Sequence, residues 1–331
     1  MEFYEYLKSL TSLRQKQIRH AVFVNLIDNP ADISTIGKEE REKIALTTSI
    51  VPFKVADEQK SKDGSTKWLL ELEDGAKIET VLMEFRDGRS TVCISSQVGC
   101  PSGCVFCATG QLGFRRNLSL WEIVSQVLFA ARQLKARDKK LTNVVFMGMG
   151  EPFLNFDNVV NAIKEINDPN YFNLGRRHIT LSTCGIISSL DKFIEADLGV
   201  TLAISLHAPN QRLREELMPI SRSNPLKKLF TTLDRYVDRT NKRVSYEYLM
   251  LEGVNDSEKD AEALAELLEG RLAFVNLINF NEISSTTFKS SSRQRVDRFK
   301  SILERHHVPT TVRVSLGEEI SAACGQLAGE N

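Results

Sequence analysis

Three closely spaced cysteines are the residues of this chain best suited to chemistry. Cys100, Cys104 and Cys107 follow a CxxxCxxC pattern directly after an apolar run at residues 91–96. Structural zinc sites take four ligands, usually from separated pairs, whereas a [4Fe–4S] cluster takes one cysteine for each iron. Three cysteines would leave one iron without a protein ligand, and an open metal site is typical of a catalytic centre. The pattern therefore favours an iron–sulfur cluster with one open iron over structural zinc.

Three further features could bind a ligand or react, although each also has an ordinary structural explanation. Gly148 and Gly150 precede Glu151, so bare backbone and a carboxylate could face a small ligand that carries an amine. A glycine pair of this kind is more often a simple turn. His207 could contact a cofactor or only pack in the core. Cys324 could be a nucleophile, a carrier of a group, or a small buried side chain.

Short apolar runs alternate with amphipathic stretches after residue 90, which predicts strands alternating with helices. The predicted strands are 91–96, 142–147, 178–182, 199–205, 244–250 and 273–278. The predicted helices are 119–136, 156–167, 188–195, 225–238, 257–269 and 292–305, and a capping box from Ser119 to Glu122 begins the first. These units favour an α/β fold whose parallel sheet closes into a partial (β/α)6 barrel. Functional side chains should then gather at the carboxyl ends of the strands, where the cysteine loop, Glu151 and His207 fall.

The residues before the barrel are predicted to form two accessory parts. Residues 1–50 carry apolar positions at helical spacing and predict a small N-terminal helical domain. Residues 51–90 change to strand-like patterns separated by turns, which predicts a β-rich connection or extension. Residues 91–331 then hold the barrel core and the C-terminal segment that carries Cys324.

The composition is ordinary for a soluble globular protein, because 42% of the 331 residues are hydrophobic, 26% are charged and the formal net charge is zero. The N-terminus lacks the apolar core of a signal peptide, and no run of about 18 apolar residues predicts a membrane span. Six cysteines without an export signal predict a reducing, cytoplasmic location. Zero net charge gives no general attraction to nucleic acid, so RNA binding would need local basic patches. The candidates are Arg115, Arg116, Arg176, Arg177, Lys227, Lys228, Arg293, Arg295 and Arg298.

Several motifs, taken in order along the chain, resemble the RlmN/Cfr family of radical S-adenosylmethionine (SAM) RNA methyltransferases. The CxxxCxxC loop is followed by Phe-Met-Gly-Met-Gly-Glu-Pro at 146–152 and by Ile-Ser-Leu-His-Ala-Pro-Asn at 204–210. The sequence Ala-Ala-Cys-Gly-Gln-Leu at 322–327 matches the C-terminal motif of the family. Ser321 departs from the pattern, because the family usually has Asp there, and this bears on RNA docking more than on radical chemistry.

The resemblance implies the cofactors and the residues that hold them. A [4Fe–4S] cluster would be bound by Cys100, Cys104 and Cys107, and its open iron would take the amino and carboxylate groups of SAM. The positions that match the SAM-binding residues of the family are Gly150, Glu151, Ser182, Ser205, Leu206, His207 and Asn281.

The resemblance also implies how an adenine carbon that is not nucleophilic is methylated. One SAM would methylate Cys324, and a second would provide a 5′-deoxyadenosyl radical that abstracts hydrogen from the S-methyl group before the methylene radical adds to the ring. Glu79 matches the proton acceptor of the family, and Cys93 matches the thiol that forms a transient disulfide with Cys324. Without the resemblance, Glu79 would be interpreted as a solvated strand residue and Cys93 as a core residue. Cys184 has no assigned role and is interpreted as a packing residue.

The implied substrate is an adenosine of 23S rRNA, methylated at C2, with tRNA as a second substrate. Methylation at C8, as in the antibiotic-resistance relatives, is the alternative within the family. A non-catalytic RNA-binding module that carries zinc or a cluster is the alternative from another class. The resemblance also implies an electron donor, such as flavodoxin or ferredoxin, and no membrane partner.

Overall fold

The computed structural model describes residues 3–47 and 49–329. Its strands are β1 (Phe53–Lys60), β2 (Ser65–Leu72), β3 (Lys77–Glu84), β4 (Ser90–Cys93), β5 (Gln97–Gly99), β6 (Phe114–Asn117), β7 (Asn143–Phe146), β8 (Ile179–Thr183), β9 (Thr201–Ser205), β10 (Val244–Met250), β11 (Ala273–Asn279) and β12 (Thr310–Arg313). Its α-helices are α1 (Phe3–Lys8), α2 (Ser12–Arg19), α3 (Lys38–Thr47), α4 (Ala108–Gln111), α5 (Leu120–Lys135), α6 (Phe156–Asn167), α7 (Ile187–Ala196), α8 (Gln211–Leu217), α9 (Leu226–Thr240), α10 (Glu258–Leu268) and α11 (Arg293–Arg305).

One sheet of ten strands organises the molecule, in the order β1-β2-β3-β4-β7-β8-β9-β10-β11-β12. The pairs from β4 through β12 are all parallel, and helices occupy the connections between these strands. The sheet runs from an edge at β1 to an edge at β12, so the barrel is partial. The predicted α/β fold with a parallel, partly closed sheet is confirmed.

The six strands and six helices predicted after residue 90 are all present, and their ends agree within three residues. The structure adds a seventh parallel strand, β12, and the short hairpin of β5 and β6, which the sequence analysis did not predict. Both consist of strands of three or four residues, which are too short to show a clear alternation of apolar and polar side chains.

Helix α5 begins at the capping box that the sequence predicted. The Ser119 hydroxyl accepts a hydrogen bond from the Glu122 amide at 3.2 Å, and the Glu122 carboxylate accepts one from the Ser119 amide at 2.8 Å. These bonds satisfy two amides that a helix start leaves without partners. The helix that follows is buried along most of its length, which fixes the loop between the cysteines and the sheet.

The antiparallel strands β1, β2 and β3 extend the parallel sheet at the β4 edge. In this register Val81 of β3 lies opposite Cys93 of β4, and Leu69 of β2 lies opposite Glu79 of β3. Of the predicted site residues, Glu79 therefore lies on the extension itself, and Cys93 lies on β4, the strand next to it.

The N-terminal helices pack against the barrel through aromatic side chains. The Phe3 ring stacks on Trp121 of α5 at a centroid distance of 5.0 Å, and Phe23 contacts Tyr171 at 4.6 Å. The division of the chain at residues 50 and 90 into three domains stays a prediction. In the described part of the chain, no helix has both the length and the apolar content needed to cross a membrane.

Candidate active site

A cavity of about 160 Å³ opens at the carboxyl ends of the parallel strands. All three cysteines of the CxxxCxxC loop line it, together with residues that follow β7, β8 and β9. The predicted site residues on its wall are Gly150, Glu151, Ser182, Ser205, His207 and Cys324. The structure therefore brings most of the predicted residues into one place, as the geometry of a parallel sheet requires.

Of the three cysteines of the loop, Cys100 is buried and Cys104 and Cys107 are partly buried. Burial raises the pKa of Cys100 to about 11 and raises the pKa of Cys104 and Cys107 as well. Thiolates are the form that binds metal, so a positively charged centre is needed to keep them deprotonated here. Among the described residues, no three His, Cys, Asp or Glu side chains converge on a point that one ion could occupy. A cubane cluster does not need such a point, because each of its irons takes one cysteine.

The glycine pair at 148 and 150 is required by close backbone packing. A Cβ added to Gly148 would lie 2.7 Å from the Ile94 carbonyl oxygen, and one added to Gly150 would lie 2.6 Å from the Gln97 Cβ. Gly150 also has a φ of +101°, which side chains other than glycine rarely adopt. The glycine pair thus forms a tight turn and also belongs to the candidate ligand site, because this turn places Glu151 at the cavity.

Glu151 is a buried carboxylate whose orientation is set by backbone amides. Its Oε1 accepts a hydrogen bond from the Phe153 amide at 2.9 Å, and its Oε2 accepts one from the Cys184 amide at 2.7 Å. Burial raises the pKa of Glu151, while the hydrogen bonds from Cys184 and Phe153 act in the opposite direction. A cationic ligand in the cavity would stabilise the charged form of this carboxylate.

His207 is a neutral imidazole that offers a proton to the cavity. Its Nδ1 accepts a hydrogen bond from the Leu249 amide at 3.0 Å, so the ring proton is assigned to Nε2. Burial, with a smaller contribution from the charge of Arg214, lowers the pKa of His207 to about 3. The ring packs edge-on against Phe106 of the cysteine loop at 4.9 Å. The histidine therefore links the cysteine loop to the fourth strand of the barrel.

Two residues predicted to contact SAM lie beside the cavity rather than on its wall. Leu206 has a fully buried side chain in the core, and its amide donates to the Glu247 carbonyl at 3.0 Å. Asn281 donates from Nδ2 to the carbonyl oxygen of Cys324 at 3.2 Å. In this structure Asn281 therefore holds the C-terminal cysteine segment.

The segment around Cys324 packs directly onto the cysteine loop. The Ala108 amide donates to the Gly325 carbonyl at 2.8 Å, and the Thr109 hydroxyl donates to the Leu327 carbonyl. Cys324 is exposed, unlike Cys93 and Cys100, and it lines the main cavity. The fold thus places the exposed thiol of Cys324 at the mouth of the cavity that Cys100, Cys104 and Cys107 line.

Cys93 and Cys324 share a second, smaller cavity of about 40 Å³, which also contains Met147 and Arg313. Burial, with a smaller contribution from the neighbouring Cys324, raises the pKa of Cys93 to about 12. Both residues are free thiols, like the other four cysteines of the chain. The transient disulfide between them stays a prediction.

Glu79 lines neither of these two cavities. Its Oε1 forms a buried ion pair with Lys67 at 2.8 Å, and its Oε2 accepts hydrogen bonds from the amides of Ala328 at 2.7 Å and Gly329 at 3.1 Å. Lys67 also donates to the Ser321 carbonyl at 3.3 Å. The interpretation of Glu79 as a solvated strand residue is wrong, because its side chain is 1% exposed. Lys67 therefore binds the Cys324 segment at Ser321 and Glu79 binds it at Ala328 and Gly329, so both ends of the segment are attached to the β extension.

The sequence analysis missed three residues that shape the site, namely Lys67, Gln97 and Arg313. The Oε1 of Gln97 accepts a hydrogen bond from the Glu151 amide at 2.8 Å. Arg313 lines both cavities and lies 3.7 Å from the Glu247 carboxylate. The alternation of β2 groups Lys67 with Ser65 and Glu71, which predicts an exposed face, so the sequence pattern did not indicate the burial of Lys67. For Gln97 and Arg313 the local sequence carries no signal either.

Several of the basic residues predicted to contact RNA are already paired with acids. Arg116 forms a bidentate pair with Glu122 and a bond to Asp74, Arg295 pairs with Asp256, and Arg298 pairs with Glu258. These partners offset the positive charge, so the patches that contain these three arginines are weak candidates for phosphate contacts.

The comparisons with known proteins agree with this site. Residues 94–267 match the model of the radical SAM superfamily. A protein of Dictyoglomus turgidum described as a probable dual-specificity RNA methyltransferase RlmN is 43% identical over 96% of this chain and 90% of its own length. The chain belongs to the RlmN family of radical SAM enzymes.

Two further relatives support membership in the RlmN family. A dual-specificity RNA methyltransferase RlmN of Alkalilimnicola ehrlichii is 42% identical over 96% of this chain and 88% of its own length. The crystal structure of a radical SAM methyltransferase from Sphaerobacter thermophilus superposes with a TM-score of 0.94 at 42% identity and covers 98% of this chain and 95% of that one. The family assigns a [4Fe–4S] cluster and SAM as cofactors. The residues present fit them, because three thiols, a buried carboxylate and a glycine-lined wall meet in one cavity.

Proposed function

We propose that this protein methylates C2 of an adenosine in 23S rRNA and in tRNA, in the cytoplasm, by way of a methyl group carried on Cys324. The observation that supports this most is the position of Cys324. A thiol that no cluster needs stands exposed at the mouth of the cluster pocket and shares a cavity with Cys93. The relatives are named as RNA methyltransferases of dual specificity, which supports both RNA substrates.

When bound, the cluster and SAM supply a methyl group and the one-electron chemistry needed to activate an inert C–H bond. The residues of the chain position the reactants. The Glu151 carboxylate binds the amine of SAM, and the Nε2–H of His207 donates a hydrogen bond to the bound SAM. Ser182 and Ser205, whose hydroxyls lie 3.5 Å apart, complete the wall of the cavity. Cys324 is the nucleophile, because it is the exposed thiol and borders the same cavity.

Release of the methylated base is assigned to Cys93 and Glu79. The Cys93 thiolate attacks the Cys324 sulfur of the protein–RNA cross-link, so that a Cys93–Cys324 disulfide forms while the bond from that sulfur to the methylene carbon breaks. The methylene carbon stays on the ring and takes up a proton to become the methyl group. Glu79 accepts the ring proton. Its carboxylate is engaged by Lys67, Ala328 and Gly329, so the C-terminal segment must leave Glu79 before that step. Small electron-transfer proteins such as flavodoxin or ferredoxin provide the electrons.

Adenine must leave its stack to reach this site, because the cavity lies inside the mouth of the barrel. Unpaired bases of loops meet that requirement at the lowest cost in stacking energy. The substrate is therefore an adenosine in a loop or bulge of structured RNA.

Nucleoside mass spectrometry of rRNA and tRNA tests the proposal. Cells that lack the gene are compared with cells that express the wild type or Cys324→Ala. We expect 2-methyladenosine in both RNA classes with the wild type and in neither with the variant. The appearance of 8-methyladenosine instead would assign the C8 reaction. Purified protein with one zinc and no iron would leave only a binding function.

A further inference from the structure

Arg214 is a buried cation that no described acid neutralises. Its side chain is fully buried in helix α8. Among the described residues, no carboxylate oxygen lies within 4.0 Å of its guanidinium nitrogens. Lys67, the other lysine or arginine that is buried among the described residues, pairs with Glu79 at 2.8 Å. An unpaired buried charge is costly, so its presence beneath the cofactor cavity requires an explanation.

All hydrogen bonds of the Arg214 guanidinium go to backbone carbonyls around the cofactor cavity. The two terminal nitrogens and Nε donate to the carbonyl oxygens of Cys184 at 2.6 Å, Ser205 at 3.2 Å, Leu206 at 3.3 Å and Asn224 at 3.5 Å. Cys184 follows β8 and Ser205 ends β9, so one side chain joins the loops of two neighbouring strands. These four bonds give each guanidinium nitrogen a partner, but no carboxylate of the described residues neutralises the positive charge.

Arg214 lies next to the cluster site, because Cys184 and Ser205, whose carbonyl oxygens it binds, line the same cavity as Cys104. Burial raises the pKa of Cys104 and of Cys184 well above their usual range, and the charge of Arg214 acts in the opposite direction on both. Burial lowers the pKa of Arg214 itself, whereas Cys184, Cys104 and Glu151 act to raise it. The groups that act to raise the pKa of Arg214 are therefore those of the cofactor cavity and not the carboxylate of a structural ion pair.

We propose that Arg214 is the counter-charge of the iron–sulfur cluster and that it raises the reduction potential of the cluster. Three thiolates on an oxidised [4Fe–4S]²⁺ core carry a net charge of about −1, and one electron from a reductant makes it about −2. A buried positive charge stabilises the more negative state, because electrostatic interactions are weakly screened inside a protein. The carboxylate of Glu151 adds a further negative charge that Arg214 offsets. Arg214 is thus a positioning residue that acts on the electron-transfer step without touching the substrate.

This inference rests on the proposed function only for the presence of the cluster. The test uses full-length protein with its cluster reconstituted anaerobically, in the absence of RNA. Reduction by dithionite is followed by redox potentiometry, with the absorbance and the EPR signal of the cluster as readouts. The variants are Arg214→Met, which removes the charge, and Arg214→Lys, which keeps the charge but loses the planar set of donors. Arg212→Met is the matched control, because Arg212 lies on the same helix with its side chain 91% exposed.

We expect Arg214→Met to lower the equilibrium constant for reduction at least tenfold, which is about 59 mV for one electron. Arg214→Lys and Arg212→Met should stay within threefold of the wild type. Unchanged reduction of Arg214→Met, or an equal shift in Arg214→Lys, would overturn the proposal, since the second result would reflect loop geometry rather than charge.

Arg214→Lys decides the matter if Arg214→Met does not retain iron. A full cluster with wild-type potential in Arg214→Lys would then support the role of the charge. Loss of the cluster in both variants would assign a purely structural role and refute the inference. A wild-type protein that takes up no cluster would contradict the proposed function itself, and the two failures are therefore distinguishable.

Discussion

The cysteine loop and the Cys324 segment supply the two kinds of thiol in this site, and they are held in different ways. The cysteine loop is built into the barrel, where Cys100 is 9% exposed and Phe106 of the loop packs against His207. The Cys324 segment follows β12, the last strand of the barrel, and its backbone is held by side chains from other elements, among them Lys67, Glu79 and Asn281. Its reactive thiol is exposed.

This difference teaches how one site can bind a cofactor firmly and still move a reactive group. A preorganised pocket loses little entropy when it binds a cluster and SAM. A segment attached by a few hydrogen bonds can detach at a cost of roughly 1 kcal/mol for each bond. The proposed cycle needs both properties, because Cys324 must meet SAM, then the base, and then Cys93.

The largest expected effects come from replacing a cysteine of the loop or Cys324, and iron content should distinguish the two variants. Cys104→Ala and Cys324→Ala should each lower methyl transfer to RNA by at least about a thousandfold, since each removes a group that the reaction cannot replace. The cluster should respond differently. Cys104→Ala should lose its iron, while Cys324→Ala should retain wild-type iron, sulfide and absorbance. Loss of the cluster in Cys324→Ala would show that the two regions are not independent.

The Glu79–Lys67 pair should account for most of the attachment of the C-terminal segment. Glu79→Gln leaves Lys67 buried without a carboxylate, and we expect the free energy of unfolding to fall by about 3–5 kcal/mol. Hydrogen exchange at residues 321–329 should accelerate at the same time. Glu71→Gln on the neighbouring strand β2 is the control, because that side chain is exposed. Equal stability of the two variants would refute the role of Glu79 as an anchor.

Acid should destabilise the cofactor pocket through His207. The folded pKa of His207 is about 3, below its unfolded value of about 6.5. The unfolded chain therefore binds a proton that the folded chain does not, and this contribution is present above pH 6.5 and is lost as the pH falls toward 3. We expect His207 to account for a loss of about 3 kcal/mol between pH 6.5 and pH 4.

Denaturant titrations of His207→Asn over that pH range measure this contribution. Asn is chosen because His207 has a φ of +57°, which Asn tolerates. His20→Asn, at an exposed position, should keep the wild-type dependence on pH. A steep acid dependence that survives in His207→Asn would assign the effect to other groups.

The smallest effect concerns Asn281. Asn281→Ala removes the bond to the Cys324 carbonyl, and hydrogen exchange around Cys324 should accelerate by about tenfold or less, which corresponds to roughly 1 kcal/mol. Asn276→Ala on β11 is the control, because Asn276 bonds to Ser245 and Glu247 instead. If both variants changed the segment equally, Asn281 would not be a specific anchor.

Much of the fold was predictable because its signals are local. Apolar periodicity located six of the seven parallel strands and the six longer helices between and after them, and Ser119 with Glu122 marked the start of α5. The C-terminal contacts were not predictable in this way. Glu79 was assigned by resemblance as a proton acceptor, and no pattern around it indicates the amides of Ala328 and Gly329 as its partners.

The sequence by itself determined the cysteine loop, the order of strands and helices, and the family, because each is encoded by spacing within short stretches of chain. Tertiary structure alone decided that Cys93 and Cys324 share a cavity, that Glu79 and Lys67 hold the C-terminal segment, and that Arg214 is buried with no carboxylate of the described residues within 4.0 Å. These facts depend on contacts between residues far apart in the chain. Whether a charge is paired is a property of its neighbours in space, and no local spacing records it.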